Sequence, residues 1–187
     1  MNIYLIIILA IIIGEYLLDL IVGALNVAHA SPVLPGEFEG YFDQGRYRKA
    51  QGYLREKTFF EICRNTATTS IMLLFILLGG FNAVDDLARS LDQNYIITGL
   101  IFAGILSVAM QALNAPFSAY NTFVIEGKYG FNKTTPATFI SDFLKRLSIG
   151  AVIGAVIFSS VLWLFYKTDK TAWIYCWAAV TLFQVFL

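Results

Sequence analysis

The fold class of this chain is decided close to its start by residues 2–25, NIYLIIILAIIIGEYLLDLIVGAL. Only Glu15 and Asp19 carry charge in this stretch. A helix that crosses a bilayer needs roughly 20 mostly apolar residues, at about 1.5 Å of rise per residue. The stretch therefore predicts a membrane-spanning α-helix.

The rest of the 187-residue chain repeats this pattern. Hydrophobic residues make up 58% of the chain and charged residues 14%, with a mean hydropathy of +0.67, whereas a soluble domain needs a more charged surface. The apolar runs lie at about residues 2–25, 67–84, 95–115, 147–166 and 172–187. We predict an all-α, polytopic membrane helix bundle with five transmembrane helices, and amphipathic cytoplasmic helices in the loops at 26–66 and 116–146.

The fifth run ends at Leu187 with no polar flank and no interfacial Lys or Arg behind it. Its length covers only about 24 Å of a hydrocarbon core that is about 30 Å thick. We therefore expect a truncated last span, and expect the chain to be the N-terminal part of a longer protein.

The basic residues predict the orientation. Ten of the 13 Lys and Arg residues fall in the loops at 26–66 and 116–146. Because Lys and Arg concentrate in cytoplasmic loops, these two loops are placed in the cytoplasm and the N-terminus outside. The acidic residues of the first loop nearly cancel its basic residues, which argues against a nucleic-acid partner.

The polar residues Glu15 and Asp19 of the first run, and Asn26 directly after it, lie along one helical face. A charged residue near the bilayer centre costs about 2.5–3.5 kcal/mol on insertion scales, so Glu15 is expected to face a bundle interior or a wet cavity, or to be protonated. One interpretation is a cavity-lining or ion-handling carboxylate. The other is a structural carboxylate hydrogen-bonded to a neighbouring helix, and the sequence leaves both open.

The third run has a similar polar stripe. Its members are Ser107, Gln111, Asn114 and Ser118. Hydrogen bonds between helices explain such a stripe at about 0.6 kcal/mol each. The alternative is the lining of a water-filled chamber, which the presence of polar stripes in several spans suggests.

Residues 123–135, FVIEGKYGFNKTT, form a polar and aromatic segment between two apolar runs. Pro116 is expected to end or kink the third span. Gly127 and Gly130 permit tight turns or close backbone approach. Thr135 followed by Pro136 predicts a helix start, with a capping hydroxyl and then proline at the first helical position.

The sequence contains no catalytic or metal-binding motif. It has a single histidine, His29, so neither HExxH nor a zinc-ligand cluster is possible within it. The two cysteines, Cys63 and Cys176, imply no disulfide framework. We expect no catalytic residue, no metal and no cofactor in this chain, and we expect it to be inactive alone.

Two segments are similar to a known family. Residues 115–135, APFSAYNTFVIEGKYGFNKTT, and residues 41–60, YFDQGRYRKAQGYLREKTFF, resemble the N-terminal membrane region of the zinc-dependent type I CAAX prenyl proteases. In the loop at 116–146, the positions that carry the resemblance are Phe123, Glu126, Gly130, Phe131, Asn132, Lys133, Thr134, Asp142 and Lys145. Gly127 departs from an acidic residue common in the family.

The resemblance implies a seven-helix membrane metallopeptidase whose helices surround a wet chamber. Its HExxH zinc site would follow the fifth span, so zinc is implied for the full-length protein and not for this chain. The partners implied are the lipid bilayer, a C-terminal catalytic portion, and a peptide or membrane-protein substrate. The location implied is a bacterial inner membrane, or the endoplasmic reticulum in a eukaryote.

Two other functions remain open from the residues. One is a small transporter or channel module that uses Glu15 and Asp19, and the other is a non-catalytic membrane scaffold. The loop at 116–146 has two interpretations as well. It either braces the catalytic portion or the chamber entry, or it is a folded turn in which Asn132 and Thr135 bond the local backbone.

Overall fold

The computed structural model describes residues 2–31, 33–34, 36, 40–41, 43–92, 94–168 and 171–186. Within these residues the regular structure is helical, without a strand, which confirms the all-α prediction. The elements are α1 (Ile3–His29), α2 (Gln44–Leu77), α3 (Gly80–Leu91), α4 (Tyr95–Tyr120), a π-helical turn (Asn121–Glu126), α5 (Gly127–Tyr129), α6 (Pro136–Thr168) and α7 (Ala172–Phe186).

The chain divides into two compact units. The first unit is Met1–Gly79 with Ala112–Thr134, and the second is Gly80–Gln111 with Thr135–Leu187. In the first unit, α1 packs along α2, and α2 packs against the π turn. In the second unit, α6 packs against α7.

The apolar side chains of the long helices point outward. Four described segments are long and apolar enough to cross a membrane: Ile3–His29, Gln44–Leu77, Tyr95–Tyr129 and Pro136–Thr168. Almost no residue in their most apolar windows is buried within the protein itself. Large continuous apolar surfaces of this kind are suited to a lipid environment and are rare on soluble monomers. The structure is therefore that of a multi-pass membrane protein. The shorter apolar stretch Ala172–Leu182 lies in α7, and Leu187 lies outside the described residues.

Helix α2 is longer than a bilayer is thick. Its 34 residues extend about 51 Å, whereas the hydrocarbon core measures about 30 Å. The Asp43 carboxylate caps its start by accepting a hydrogen bond from the Arg46 N–H at 2.8 Å. The charged first half of α2 therefore continues the helix beyond the apolar region.

The second predicted span, 67–84, is divided between two helices. Helix α2 ends at Leu77, and Gly79 adopts the left-handed conformation with φ +75° before α3 begins at Gly80. Glycine accepts this conformation without steric penalty. The helix therefore ends at this position, although the apolar run 67–84 continues through it. Helix α3 is amphipathic and carries Asp85 and Arg89 on its polar face.

The loop predicted at 116–146 is mostly helical. Pro116 lies inside α4, and helical structure continues to Tyr129 through the π turn. The Thr135 hydroxyl accepts a hydrogen bond from the Thr138 N–H at 3.2 Å, and α6 runs unbroken from Pro136 to Thr168. The non-helical connection is thus confined to residues 130–135, and the amphipathic segment that follows is the first part of α6.

Candidate functional site

One face of α2 packs against the polar and aromatic segment at residues 123–135. Side chains or backbone on this face contact α4, the π turn and α5 in antiparallel order. The α2 positions are Lys49, Gly52, Tyr53, Glu56, Phe60 and Arg64. Apart from the adjacent pair Gly52 and Tyr53, they are spaced by three or four residues, which places them on one stripe of the helix. We call this set of contacts the α2 brace.

The polar centre of the α2 brace is Glu56. Its Oε2 accepts hydrogen bonds from Lys128 Nζ at 2.6 Å and from the Tyr129 hydroxyl at 2.8 Å. Glu56 and Lys128 both lie outside the apolar stretches of their helices. The Lys128 ammonium and, to a smaller extent, the Tyr129 hydroxyl hold the pKa of Glu56 below its ordinary value. Conversely, the same carboxylate raises the pKa of Lys128, so both groups are charged at neutral pH.

Aromatic rings enclose this polar centre on one side. The Tyr53 ring lies edge-on to Tyr129 at 5.3 Å and to Phe131 at 4.9 Å between ring centroids. Edge-on pairs at this separation are favourable beyond their buried area. A Cβ placed on Gly52 would lie 3.3 Å from the Tyr129 hydroxyl oxygen, so the absence of a side chain there lets Tyr129 approach α2.

Toward the membrane, the α2 brace continues onto α4. Phe60 stacks on Tyr120 at 5.1 Å and lies 6.3 Å from Phe117. One turn further, Arg64 Nη2 donates a hydrogen bond to Asn114 Oδ1 at 2.7 Å. Asn114 of the predicted polar stripe is therefore an interhelical partner of a guanidinium.

The turn itself is fixed by backbone bonds. The Glu126 carbonyl accepts hydrogen bonds from the Phe131 N–H at 2.9 Å and the Asn132 N–H at 3.3 Å. Gly130 between them has φ +75°, a conformation that closes the end of a helix. Asn132 Oδ1 accepts from the Thr134 N–H at 2.6 Å, and Asn121 Nδ2 donates to Glu126 Oε1 at 3.0 Å.

The other members of the family-like segment lie around this turn. Phe123 is partly buried, and Phe131 and Lys133 are exposed. Asp142 and Lys145 lie on α6 in the second unit and form an exposed ion pair with each other at 3.7 Å. The structure therefore brings Glu126, Asn132 and Thr134 together and keeps Asp142 and Lys145 as a local pair.

The acidic residues of α1 line a separate cavity of about 210 Å³ within the first unit. It is bordered by Ile12, Glu15, Tyr16, Asp19, Asn65, Thr68 and Thr69. Asn65 Nδ2 donates to Asp19 Oδ2 at 3.4 Å. The Tyr16 hydroxyl bonds Thr66 Oγ1 at 3.0 Å, and Thr66 itself donates to the Ile62 carbonyl, so Tyr16 is the donor. The cavity has room for several water molecules, at about 30 Å³ each.

The remaining polar candidates are not gathered into this cavity. Asn26 is exposed on α1 and does not border it. Ser107 is exposed and Gln111 is partly buried, and both belong to the second unit. His29, at the end of α1, donates from Nδ1 to the Leu25 carbonyl at 2.8 Å.

The described part of the chain offers no metal-binding cluster: no group of three or more His, Cys, Asp or Glu side chains is arranged to hold an ion. The residues described here therefore do not fit a zinc centre. What they form is a braced helical connector and a polar cavity.

Sequence reasoning missed the α2 half of the brace. Tyr53, Glu56, Phe60 and Arg64 are not among the site residues that the sequence predicts, although the first three lie in the family-like segment 41–60. Their spacing of three, four and four residues was the signal, because it places two aromatic rings and two charges on one helical face.

Comparisons with known proteins give a consistent result. A family model described as CAAX prenyl protease N-terminal, five membrane helices, matches residues 24–187. A probable CAAX prenyl protease 1 of Schizosaccharomyces pombe is 31% identical over 189 residues, covering 94% of this chain and 40% of that protein. A CAAX prenyl protease 1 homolog of Arabidopsis thaliana is 32% identical over 154 residues, covering 79% of this chain and 36% of that protein.

The fold also matches a solved structure. The crystal structure of S. mikatae Ste24p aligns with a TM-score of 0.89 and 26% sequence identity, covering 100% of this chain and 45% of that one. The chain thus spans less than half the length of these relatives.

Proposed function

Because this chain belongs to the CAAX prenyl protease family, we propose that it is the membrane-embedded N-terminal module of a zinc metalloendopeptidase. In this proposal the module supplies chamber helices and cytoplasmic connectors, while the remaining length of the relatives corresponds to the catalytic portion. The substrate class that the relatives' names suggest is a prenylated protein ending in a CAAX peptide. A peptide or membrane-protein substrate of another kind is the alternative.

The observation that carries this proposal is the α2 brace. A bare loop between two spans would give a catalytic portion no fixed support. Here Glu56, Tyr53 and Phe60 fix the end of α4, the π turn and α5 against a helix that extends beyond the apolar region. A catalytic site needs surrounding residues whose side chains are held in place, because small displacements of the catalytic groups reduce activity strongly. The brace therefore positions the connector and does not take part in the chemistry itself.

The cavity at Glu15 and Asp19 supports the second element of the proposal, a wet chamber wall. Two carboxylates, an amide and hydroxyl groups border it between α1 and α2. Ionisable groups in membrane segments occur where water or a partner solvates them. In this role the carboxylates hydrate the wall of the chamber and do no acid–base chemistry.

Orientation and cofactor follow from the same proposal. The concentration of basic residues supports a cytoplasmic location for the α2 extension and the turn at 130–135. Zinc, which the family resemblance implies, would be held by residues other than those described here. No step of the reaction is assigned to this chain.

The proposal is tested first by the gene and then by the protein. The reading frame beyond Leu187 should encode HExxH within about a hundred residues, and a native stop codon directly after Leu187 would refute the proposal. The full-length protein should bind zinc and cleave a prenylated CAAX peptide. A full-length protein that binds no zinc would also contradict it.

A matched pair of variants tests the role of the brace in that full-length protein. Glu56→Gln removes the charged acceptor for Lys128 and Tyr129, whereas Glu61→Gln changes an exposed carboxylate on the same helix. We expect Glu56→Gln to lower kcat with little change in KM, and Glu61→Gln to change neither. Equal activity of the two variants would remove the brace from the proposal.

The transporter alternative predicts a different result. An ion-conducting module built on Glu15 would give proton or cation flux in liposomes that Glu15→Gln abolishes. The chamber-wall role predicts no flux in either protein. Flux from the wild type alone would favour the alternative.

A further inference from the structure

A cavity in the second unit has the composition of a lipid site. It measures about 530 Å³, within the range of about 300–1,000 Å³ that is usual for ligand pockets. Its lining comes from α3, the first two turns of α4 and the last part of α6. The residues are Asp85, Arg89, Tyr95, Thr98, Gly99, Phe102, Phe158 and Leu162.

The charged and the apolar lining residues of this cavity come from different helices. Asp85 and Arg89 come from the polar face of α3 and form an ion pair at 2.7 Å. Phe102 of α4 and Phe158 and Leu162 of α6 supply apolar side chains. A ligand that matches this lining has a polar end that carries charge and an apolar chain.

The ion pair leaves binding capacity at the polar end. The contact with Asp85 uses Arg89 Nε, and a guanidinium carries further N–H donors on its two terminal nitrogens. The Arg89 side chain is 68% exposed and that of Asp85 is 41% exposed. A phosphate oxygen can therefore reach the guanidinium without displacing Asp85, while the carboxylate presents negative charge to a neighbouring ammonium.

Helix α3 has the build of a helix that lies at a membrane surface. One face carries Val84, Leu87, Ala88 and Leu91, and the opposite face carries Asn82, Asp85, Asp86 and Arg89. Leu87 is 50% exposed and Leu91 is 64% exposed, so much of the apolar face is left for acyl chains. A strong separation of faces in a short helix is typical of interfacial helices. The cavity therefore has its charged end at headgroup level.

From this arrangement we propose that the cavity binds one zwitterionic glycerophospholipid, with its phosphate at Arg89, its ammonium at Asp85 and an acyl chain against Phe102 and Phe158. Charge complementarity selects this occupant, since both signs of charge are present at one end of an apolar cavity. The proposal concerns lipid binding and is independent of peptidase activity.

Gly99 provides a way to narrow the cavity. A Cβ at this position would lie 2.5 Å from Leu162 Cδ1, so alanine there forces the end of the Leu162 side chain to move. Leu162 lines the cavity, and its displacement changes the apolar part. Gly104 on the same helix has no atom within 4 Å of such a Cβ and serves as the matched control.

The experiment is a titration of the delipidated full-length protein in detergent with phosphatidylcholine, followed by native mass spectrometry. We expect one tightly held lipid. A hydrogen bond to a charged group contributes about 1.5–3 kcal/mol, so Arg89→Gln should weaken binding by about tenfold or more. Asp86→Asn, on the same helix but outside the cavity lining, should leave the affinity unchanged. Gly99→Ala should weaken binding, and Gly104→Ala should not.

Two further ligands separate the parts of the site. Phosphocholine alone should bind the wild-type protein far more weakly than phosphatidylcholine does. Diacylglycerol lacks the headgroup, so its affinity should be the same for the Arg89→Gln variant and the wild type. The proposal is overturned if Arg89→Gln and Asp86→Asn bind phosphatidylcholine alike, if phosphocholine matches the intact lipid, or if the wild type retains no lipid.

Discussion

Truncation of Ile125 to alanine is the most direct test of whether the π turn is packed firmly against α2. Ile125 is 1% exposed and is the largest side chain that the described residues bury completely, whereas its neighbour Val124 is 45% exposed. Removing three carbon atoms from a fully enclosed site loses their transfer free energy and leaves a cavity. Isoleucine-to-alanine changes of this kind cost about 2–5 kcal/mol.

The loss of stability in Ile125→Ala should appear as a lower Tm. One kcal/mol shifts Tm by about 2–4 °C in proteins of 150–250 residues and by less in larger ones, so Ile125→Ala should lower the Tm of the full-length protein by about 2 °C or more. Ile125→Val, which removes a single methyl, costs about 0.5–1.5 kcal/mol and should fall between the wild type and alanine. Val124→Ala should change Tm little, because Val124 is largely exposed.

The assay is tryptophan fluorescence during heating of the full-length protein in one detergent. The scan rate must be held constant, because unfolding of such proteins is commonly irreversible. Equal shifts for Ile125→Ala and Val124→Ala would refute the packing of the π turn. A large shift for Ile125→Ala in a variant that keeps full peptidase activity at low temperature would separate stability from positioning.

Three other predictions concern the brace and its turn. Gly130→Ala should lower stability by about 1–2 kcal/mol because Gly130 has φ +75°, whereas Gly150→Ala on α6 should be neutral or stabilising; thermal scans of both variants check this. Asn114→Ala removes the acceptor for Arg64 and should lower Tm more than Ser107→Ala, an exposed position on the same helix; equal values would contradict an interhelical role for Asn114. The pKa of Glu56 is lower in the folded protein than its ordinary value, so its stabilising effect is complete above that value and is lost as the pH falls through the folded-state pKa. Wild-type Tm should therefore fall more steeply than that of Glu56→Gln below about pH 4.5, and parallel curves would contradict the assignment.

The helical class and the long apolar elements were predictable because they depend on composition and run length. The apolar runs and the Thr135-Pro136 helix start follow from local rules. The helix break at Gly79 was less visible, since a glycine inside an apolar run does not reveal its φ.

The tertiary partners were not predictable from local rules. Glu56 and Lys128 are separated by 72 residues, and no spacing rule links residues at that distance. The segment 123–135 was identified by its composition, yet its folding partner on α2 was identified only by structure. Pro116 is expected from the sequence to end or kink the third span; it lies inside α4 and does not end the helix, because proline removes only one backbone donor.

The π turn offers a test of how the chain sets the register of the brace. A π turn contains one residue more than an α-helical turn and absorbs it locally. Deleting the exposed Val124 should therefore convert the turn to α-helix while Tyr129 and Lys128 keep their position against Glu56. Deleting Val108, an exposed residue within α4, should instead rotate all later residues by about 100° relative to the preceding helix. The change in Tm caused by Glu56→Gln measures whether the contacts of Glu56 are intact. Glu56→Gln should still lower Tm in the Val124 deletion and should leave Tm unchanged in the Val108 deletion. The same sensitivity in both deletions would show that the register of the brace is set elsewhere than in the π turn.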